Sequence, residues 1–365
     1  MTEKLDRFEP KWMSPPGDTI LDALAEKNWT QSEFARRAGY TAKHVSQLIK
    51  GKAAITEDTA LRLERILGGS ARFWLALDAR HREEVARAEE IKRLESQVEW
   101  LKELPLTQMV KFGWIEKCAK KTDQVSECLK YFGVASVSVW RKEYPAPQEL
   151  AAFKSSEKFE KKNGAVAAWL RRGEQIAEQR SFGKYDRKGF IKKLLGIRKL
   201  TNETDPDIFV PELINECAEV GVAVVFELAP VGCPATGATR WLAPDKALIM
   251  LSLRHKTNDH LWFAFFHEAA HILLHGKKML FLEIEGDGNS REREADEFAS
   301  NFLIPRQKAD ALRFLAHTKT AVRRFAEEIG VAPGIVVGRM QYEGYLPMSY
   351  LNGLKVRYEW GTGRS

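Results

Sequence analysis

The strongest chemical signal in the sequence is a pair of histidines four residues apart, His267 and His271, with Glu268 beside the first. On an α-helix, side chains at i and i+4 project from one face about 6 Å apart at their roots, so both imidazoles can bind one zinc ion. Glu268 is then placed to take a proton from a water at the metal as a general base. The spacing therefore predicts a catalytic zinc site.

This motif lies in a segment that is apolar on nearly every face, residues 258–276 (NDHLWFAFFHEAAHILLHG). Asn258 or Asp259 is the expected N-cap and Gly276 the expected end of the helix. A helix that is apolar all round is buried. Because buried histidines and a glutamate are costly without a partner and a metal satisfies all three, burial strengthens the zinc prediction.

A catalytic zinc site needs a third protein ligand and keeps its fourth position open. Residues 290–305 (SREREADEFASNFLIP) predict a helix with one apolar face. At about 100° per residue, Glu292 lies about 50° from the centre of that face and Glu294 about 110°, so Glu292 is the expected ligand. Asp296, one turn further, can accept the outer N–H of a ligating histidine.

Alternatives remain for each part of this ligand set. Glu292 could instead be a solvated acid in the first turn of its helix, where the helix dipole favours negative charge. His275 falls on the same face as the two histidines and is a rival ligand, as is Glu294, although we expect His275 to cap the helix end. Zinc is favoured over iron or manganese by the ligand types.

The N-terminal region has the pattern of three short helices, over 18–28, 30–38 and 41–50. Thr30 and Thr41 are the expected N-caps, and a glycine closes each of the last two helices. The third helix has apolar Val45 and Leu48 on one side and polar, basic residues on the other. This is the arrangement of a helix-turn-helix that reads a DNA duplex, with an ordinary three-helix packing unit as the alternative.

Six residues are the expected DNA contacts of this unit. Spacing on the third helix directs three of them to base edges in the major groove, and the other three are placed to meet phosphates. The base-edge group is Ala42, Lys43 and Gln47, and the phosphate group is Gln31, Lys50 and Lys52.

The 365 residues carry a net charge of +7, and this charge is local. Residues 151–200 hold nine more basic than acidic residues, and residues 30–52 hold four more. Aromatic residues alternate with the basic ones in 151–200, as on a nucleic-acid surface, but the core face of helices with a basic surface is the favoured interpretation. Glycines and prolines, Gly164 and Gly173 among them, are expected to break the helices of 107–200.

Four widely spaced cysteines without a C-x-x-C pair indicate neither a disulfide framework nor a cysteine zinc site. The N-terminus lacks the apolar core of a signal peptide, and the apolar runs are too short to span a membrane. We therefore expect a cytoplasmic protein with no membrane partner.

The expected fold class is α+β and mostly helical. Residues 1–82 form an all-α helix-turn-helix domain, residues 83–200 a helical connector, and residues 201–365 a zincin-like domain with a helical tail from 311. Short apolar runs at 221–228 and 247–253 predict strands of a small sheet, and 237–242 is a candidate third. The tail repeats the F-A-x-x-x-G spacing of the N-terminal unit at Phe325 to Gly330, and it is interpreted as a packing unit, not a second DNA reader.

Two families share these motifs. Residues 16–77, including the Phe-Trp-Leu end after Gly-Ser, resemble the XRE-type helix-turn-helix of HigA-like antitoxins, which implies a homodimer on an operator and a toxin partner. H-E-x-x-H followed by E-x-E-A-D-x-F-A and Leu-Ile-Pro resembles the ImmA/IrrE family of zinc metallopeptidases, whose members cleave helix-turn-helix repressors. The pair Ala269-Ala270 departs from that family, which commonly has a bulkier residue and a glycine there.

The leading hypothesis is thus a DNA-binding transcriptional regulator fused to a gluzincin-like zinc endopeptidase. Its substrate would be a helix-turn-helix repressor or the chain itself, cut between residues 105 and 200, which would relieve repression. The alternative is an antitoxin-like repressor in which the zinc domain is structural or sensory. A zinc hydrolase of small molecules is disfavoured.

Overall fold

A computed structural model of the protein describes residues 15–144, 163–254, 257–276, 281–283 and 290–358. The chain divides into two compact units, Met1–Ser96 and Gln97–Ser365. One continuous helix crosses the expected boundary at residue 82, and residues 97–200 belong to the same unit as the sheet. Within the described ranges, none of the helices is long and apolar enough to cross a membrane.

The first unit is helical, with its core formed by residues such as Ile20, Phe34, Val45, Leu63 and Trp74. The described helices are α1 (Pro16–Glu26), α2 (Gln31–Ala38), α3 (Ala42–Ile49), α4 (Glu57–Leu67) and α5 (Ala71–Ser96).

The predicted caps of α2 and α3 are confirmed. Thr30 Oγ1 accepts from the Glu33 N–H at 3.1 Å, and Thr41 Oγ1 accepts from the His44 N–H at 3.2 Å. Gly39 ends α2 with φ +69°, a left-handed conformation that glycine adopts without a Cβ clash. These caps fix the sharp turn between α2 and α3.

The second unit places helices around a four-stranded sheet. Its helices are α6 (Leu106–Lys111), α7 (Lys121–Phe132), α8 (Val137–Glu143), α9 (Asn163–Glu178), α10 (Arg187–Ile197), α11 (Pro206–Ala218), α12 (Asn258–Leu274), α13 (Ser290–Leu303), α14 (Arg306–Ala309), α15 (Lys319–Ile329) and α16 (Pro333–Tyr342). Its strands are β1 (Val222–Glu227), β2 (Gly237–Ala243), β3 (Lys246–Ser252) and β4 (Phe281–Glu283). Short 3-10 helices span Val98–Glu103, Arg198–Asn202, Asp310–Phe314 and Asn352–Leu354.

The sheet has the order β1-β3-β2-β4, with β1 and β3 parallel and the other pairs antiparallel. Thr239 on β2 is paired with Ile249 on one side and Phe281 on the other. The three expected strands are confirmed, and β4 was not expected from the sequence. Inner strand β3 is buried along nearly its whole length, which explains its continuous apolar run.

Helix α12 lies in the centre of the larger core. Trp262, Phe265 and Phe266 are fully buried, and the Trp262 indole N–H donates to the Tyr358 hydroxyl at 3.3 Å. The expected cap at Asn258 or Asp259 is wrong, because Thr257 is the N-cap residue. Asn258 is instead fully buried, and its Oδ1 accepts from the Val356 N–H at 3.1 Å.

The expected helix break at Gly173 is also wrong, because this glycine lies inside α9, whereas Gly164 lies at the start of the helix as described. A Cβ at Gly164 would be 1.9 Å from the Glu103 carbonyl oxygen, and one at Gly173 would be 2.2 Å from Met250 Sδ. These glycines let α9 pack closely against its neighbours.

The basic region is part of this packing. Trp169 and Phe190 are fully buried, which confirms the core interpretation for these two aromatics, while Phe182 and Tyr185 are partly buried. Arg171 pairs with Glu174 and Glu178, and Arg172 pairs with Glu227. Residues 151–162 lie outside the described residues, so the prediction for that part of the basic region is untested.

Gly17 makes the closest approach in the first unit, since a Cβ there would lie 1.7 Å from the Ile49 carbonyl oxygen. Replacing a helical glycine with alanine normally stabilises a helix by about 1 kcal/mol. We expect Gly17→Ala to do the opposite, because backbone must move, and to increase amide hydrogen exchange across α1 and α3 in the full chain. Asp18→Ala, at an exposed neighbour, is the control. Unchanged or slower exchange in Gly17→Ala would contradict this packing.

Candidate metal centre and nucleic-acid interface

Three side chains from two helices meet at one point in the second unit. His267 Nε2 lies 3.0 Å from His271 Nε2 and 3.0 Å from Glu292 Oε2, and His271 Nε2 lies 3.5 Å from the same carboxylate oxygen. All three residues are buried. Helix α12 supplies the histidines one turn apart, and α13 supplies Glu292 from its first turn.

These separations fit one metal ion. In a tetrahedral zinc site with bonds of about 2.0–2.2 Å, the ligand atoms are about 3.3 Å apart. The observed range brackets this value, and the donor set of two imidazole nitrogens and one carboxylate oxygen is that of a catalytic zinc site. The three residues therefore fit a metal ion.

The outer nitrogens of the imidazoles support the same conclusion. His267 Nδ1 lies 2.9 Å from Asp296 Oδ1, and an ionised carboxylate only accepts, so Nδ1 carries the proton. His271 Nδ1 lies 2.8 Å from His275 Nδ1, and His275 Nε2 lies 3.3 Å from Glu294 Oε2. With Glu294 accepting, this chain likewise puts the proton of His271 on Nδ1. With these tautomers, both Nε2 atoms would offer lone pairs to a cation bound between them and Glu292.

The electrostatics keep the ligands in their binding forms. Burial lowers the pKa of His271, so its imidazole is neutral near pH 7. Burial raises the pKa of Glu292, but hydrogen bonds from His267 and His271 lower it more, to about 2. When no ion is bound, an imidazole N–H must donate to Glu292, and this hydrogen bond stabilises the ionised carboxylate. A cation bound in the same place would also stabilise the ionised carboxylate. Glu292 is only 7% exposed, so it is not the solvated acid of the alternative interpretation.

The rival ligands lie outside the triad. His275 is the C-cap residue of α12, as expected, and its ring contacts the outer nitrogen of His271. The Glu294 side chain is 62% exposed. Asp296 occupies the supporting position that the sequence predicts, at His267 Nδ1.

Glu268 is held against strand β2 by two residues that sequence reasoning missed. The Thr239 hydroxyl donates to Glu268 Oε2 at 2.6 Å, and Gly237 lies so close that a Cβ there would be 2.5 Å from Glu268 Oε1. Both residues face α12, because alternate residues of a strand share one face. The sequence indicated a strand here but gave no sign that it contacts the glutamate.

The six expected DNA contacts all have exposed side chains. Ala42, Lys43 and Gln47 lie along α3, while Val45 and Leu48 on its other side are buried. The remaining three, Gln31, Lys50 and Lys52, are exposed at the start of α2 and after α3. Their contact with DNA stays a prediction.

Comparison with known proteins divides the chain in the same way. Residues 20–74 match the family described as Helix-turn-helix, and residues 218–341 match the peptidase family described as IrrE N-terminal-like domain. The chain joins a helix-turn-helix domain to an IrrE-like domain. Over 62 residues it is 40% identical to an uncharacterized HTH-type transcriptional regulator, YddM, of Escherichia coli (strain K12). That match covers 17% of this chain and 66% of the relative.

The IrrE-like match extends from the end of α11 to α16 and so includes β2, the three candidate ligands and Glu268. Ala269 and Ala270, the departure from the family pattern, are both fully buried. Their small side chains fit the buried positions that they occupy on α12. The departure therefore leaves the geometry of the triad intact.

Gly237 generates a test of the contact between β2 and the glutamate. We expect Gly237→Ala to displace the Glu268 carboxylate while leaving the ligand triad in place, because the three atoms nearest to an added Cβ all belong to Glu268. The purified variant should retain metal as the wild type does, measured by elemental analysis, and lose any metal-dependent hydrolytic activity at least tenfold. Ala238→Gly, on the other face of the same strand, is the control. Full activity in Gly237→Ala would show that Glu268 does not need this position.

Proposed function

We propose that this chain is a DNA-binding transcriptional regulator whose IrrE-like domain is a zinc endopeptidase. The observation that carries the proposal is the convergence of His267 Nε2, His271 Nε2 and Glu292 Oε2 beside the buried carboxylate of Glu268. The substrate would be a helix-turn-helix repressor or this chain itself. Cleavage would separate a DNA-binding domain from the rest and relieve repression.

His267, His271 and Glu292 would hold the zinc ion. When bound, zinc supplies a Lewis acid that polarises the scissile carbonyl and lowers the pKa of water. Asp296 fixes the His267 ring through Nδ1, and His275 does the same for His271. These contacts keep both Nε2 atoms directed at the ion.

Glu268 would act as the general base and then as the general acid. Its carboxylate takes the proton of the attacking water and passes it to the leaving amine. The hydroxyl of Thr239 holds Oε2 in position, which reduces the number of orientations that the carboxylate can adopt. The site is lined by buried side chains, so charges that develop there are screened less than in water.

The helix-turn-helix domain would bind operator DNA. Exposed Lys43 and Gln47 on α3 support contact with base edges of an operator, and Lys50 and Lys52 support contact with phosphates. All four cysteines are free thiols, in keeping with a cytoplasmic location. A homodimer and a toxin partner stay predictions.

The central test is Glu268→Gln. The variant should bind zinc and operator DNA nearly as well as the wild type, because the amide changes neither the triad nor α3. Peptide-bond cleavage, followed by mass spectrometry of the chain and of candidate repressors, should fall by about 10²–10⁴. Derepression in cells should be lost with it.

Two controls define the outcome. His267→Ala should lose both zinc and cleavage, and Glu292→Ala should bind zinc weakly. Retention of stoichiometric zinc by Glu292→Ala would contradict the ligand assignment. Continued derepression by Glu268→Gln would overturn the peptidase and favour the alternative, a repressor with a structural or sensory zinc domain.

We expect substitutions at the two kinds of DNA contact to cause two different defects in DNA binding. Lys50→Ala should weaken binding to every duplex and reduce the slope of log affinity against log salt by about 1, because one phosphate contact is lost. Gln47→Ala should weaken binding mainly to an operator selected from a random duplex library, by about 1–3 kcal/mol. Fluorescence anisotropy measures both. Lys92→Ala, an exposed lysine on α5, is the control, and an equal loss there would contradict the assignment.

A further inference from the structure

The middle of α5 is exposed to solvent on every side. Residues 82–89 (REEVARAE) are exposed in succession over about two turns of helix. A helix that packs on a core turns a residue towards that core about every 3.6 positions, so this stretch lies against no core. The nearest buried residues of α5 are Asp78 on one side and Leu94 on the other.

The apolar residues of this part of α5 do not form a face that a second helix would cover. Val85 and Ile91 are both about half exposed, and they lie about 120° apart around the helix. A coiled coil needs apolar residues at successive a and d positions. The heptad that starts at Val85 reaches Lys92 at its next equivalent position, and Ile91 is equivalent to Glu84 one heptad earlier. The middle of α5 is therefore a solvated helix without an apolar seam.

Ion pairs within the helix are the side-chain contacts that hold this stretch. Arg87 Nη2 lies 2.6 Å from Glu83 Oε1, and Arg93 pairs with Glu90. All four of these side chains are exposed, and exposed pairs add little to stability. Short helical segments without tertiary packing are marginal in water. We therefore expect α5 to open here at a lower cost in free energy than at its buried ends.

The described helices that follow along the chain are protected by packing. Each of the helices α6 to α10 has buried residues, among them Met109 in α6 and Trp169 in α9. A peptide bond in a helix must leave the helix locally before it can enter the cleft of a peptidase. Opening α9 would expose its core residues to water, whereas opening 82–89 exposes no buried side chain. Among these elements, the middle of α5 is thus the one that a peptidase reaches at the lowest cost.

We infer that the endopeptidase cuts this chain itself, at a bond of α5 within residues 82–89. The inference rests on the proposed function and gives its self-cleavage a position. One water is consumed: its oxygen is added to the carbonyl carbon, the C–N bond breaks, and a proton of the water passes to the leaving nitrogen. The cut separates the helix-turn-helix from the metal centre. It removes no described core residue from either unit, because none of residues 79–93 is buried.

Hydrogen exchange measures the opening of α5 without any contribution from the peptidase. In the metal-free full chain, we expect the amides of residues 82–89 to exchange at least about tenfold faster than those of α9, because only an unpacked stretch of helix has to open. Mass spectrometry of peptic fragments resolves the two helices. Equal protection of 82–89 and α9 would overturn the inference, since α5 would then offer no advantage as a cleavage site.

Addition of zinc to the metal-free full chain tests the cut. Intact-mass spectrometry should find two fragments whose masses place the cut within residues 82–89, and Glu268→Gln should stay whole. Ala88→Gly should speed the cut about fivefold, because glycine weakens a helix interior and raises the open population by about that factor. Ala25→Gly makes the same change at an exposed position of α1 and should leave the rate unchanged. A synthetic peptide of residues 79–93, which has little helix to open, should be cut at the same bond and faster than the chain.

The outcomes separate this inference from the proposed function. Failure of the zinc-loaded chain to cut itself, the peptide and every helix-turn-helix repressor offered to it would overturn the peptidase. Cleavage of the peptide or of a repressor while the chain stays whole would overturn the site in α5 and leave the peptidase standing. A cut of the chain outside residues 82–89 would do the same. Equal rates in Ala88→Gly and the wild type would also overturn the inference, because opening of α5 would not control the cut.

Discussion

The second unit depends on holding two imidazole nitrogens and a carboxylate oxygen within 3.5 Å of one another in a buried place. Such a cluster is costly unless a cation binds, so the surroundings must hold the groups without closing over the point where they meet. Fully buried Trp262, Phe265 and Phe266 fix α12 in the core. Rigid packing of this helix is what aligns the two histidines with Glu292 on α13.

Local sequence patterns predicted those parts of the site that one helix determines. The i, i+4 spacing identified His267 and His271, and the apolar face of α13 selected Glu292 over Glu294. Thr239 could not be found in this way, because its contact with Glu268 joins residues 29 positions apart. Asn258 was misassigned as a cap for the same reason, since its partner Val356 is 98 positions away. Long-range contacts leave no periodic signal.

The glycines show why the sequence alone predicts the ends of helices better than it predicts how helices and strands pack. Gly39 and Gly330 end helices with φ near +70°, and the F-A-x-x-x-G spacing that both complete predicts that role. Gly173 and Gly237 have ordinary backbone conformations and are needed because a neighbouring side chain occupies the place of a Cβ. Nothing in the local sequence distinguishes these uses, so α9 was expected to break at Gly173.

The two helical turns that share the F-A-x-x-x-G spacing have the same local geometry but different surroundings. Both turns are closed by the same backbone bonds, Tyr40 N–H to the Ala35 oxygen and Val331 N–H to the Ala326 oxygen. In α3 only Val45 and Leu48 are buried, whereas six residues of α16 are. The position of exposed Lys43 corresponds to Gly334, which packs against Asn258. A helix buried on so many sides cannot enter a DNA groove, so the repeated turn packs against the start of α12 instead of reading a duplex.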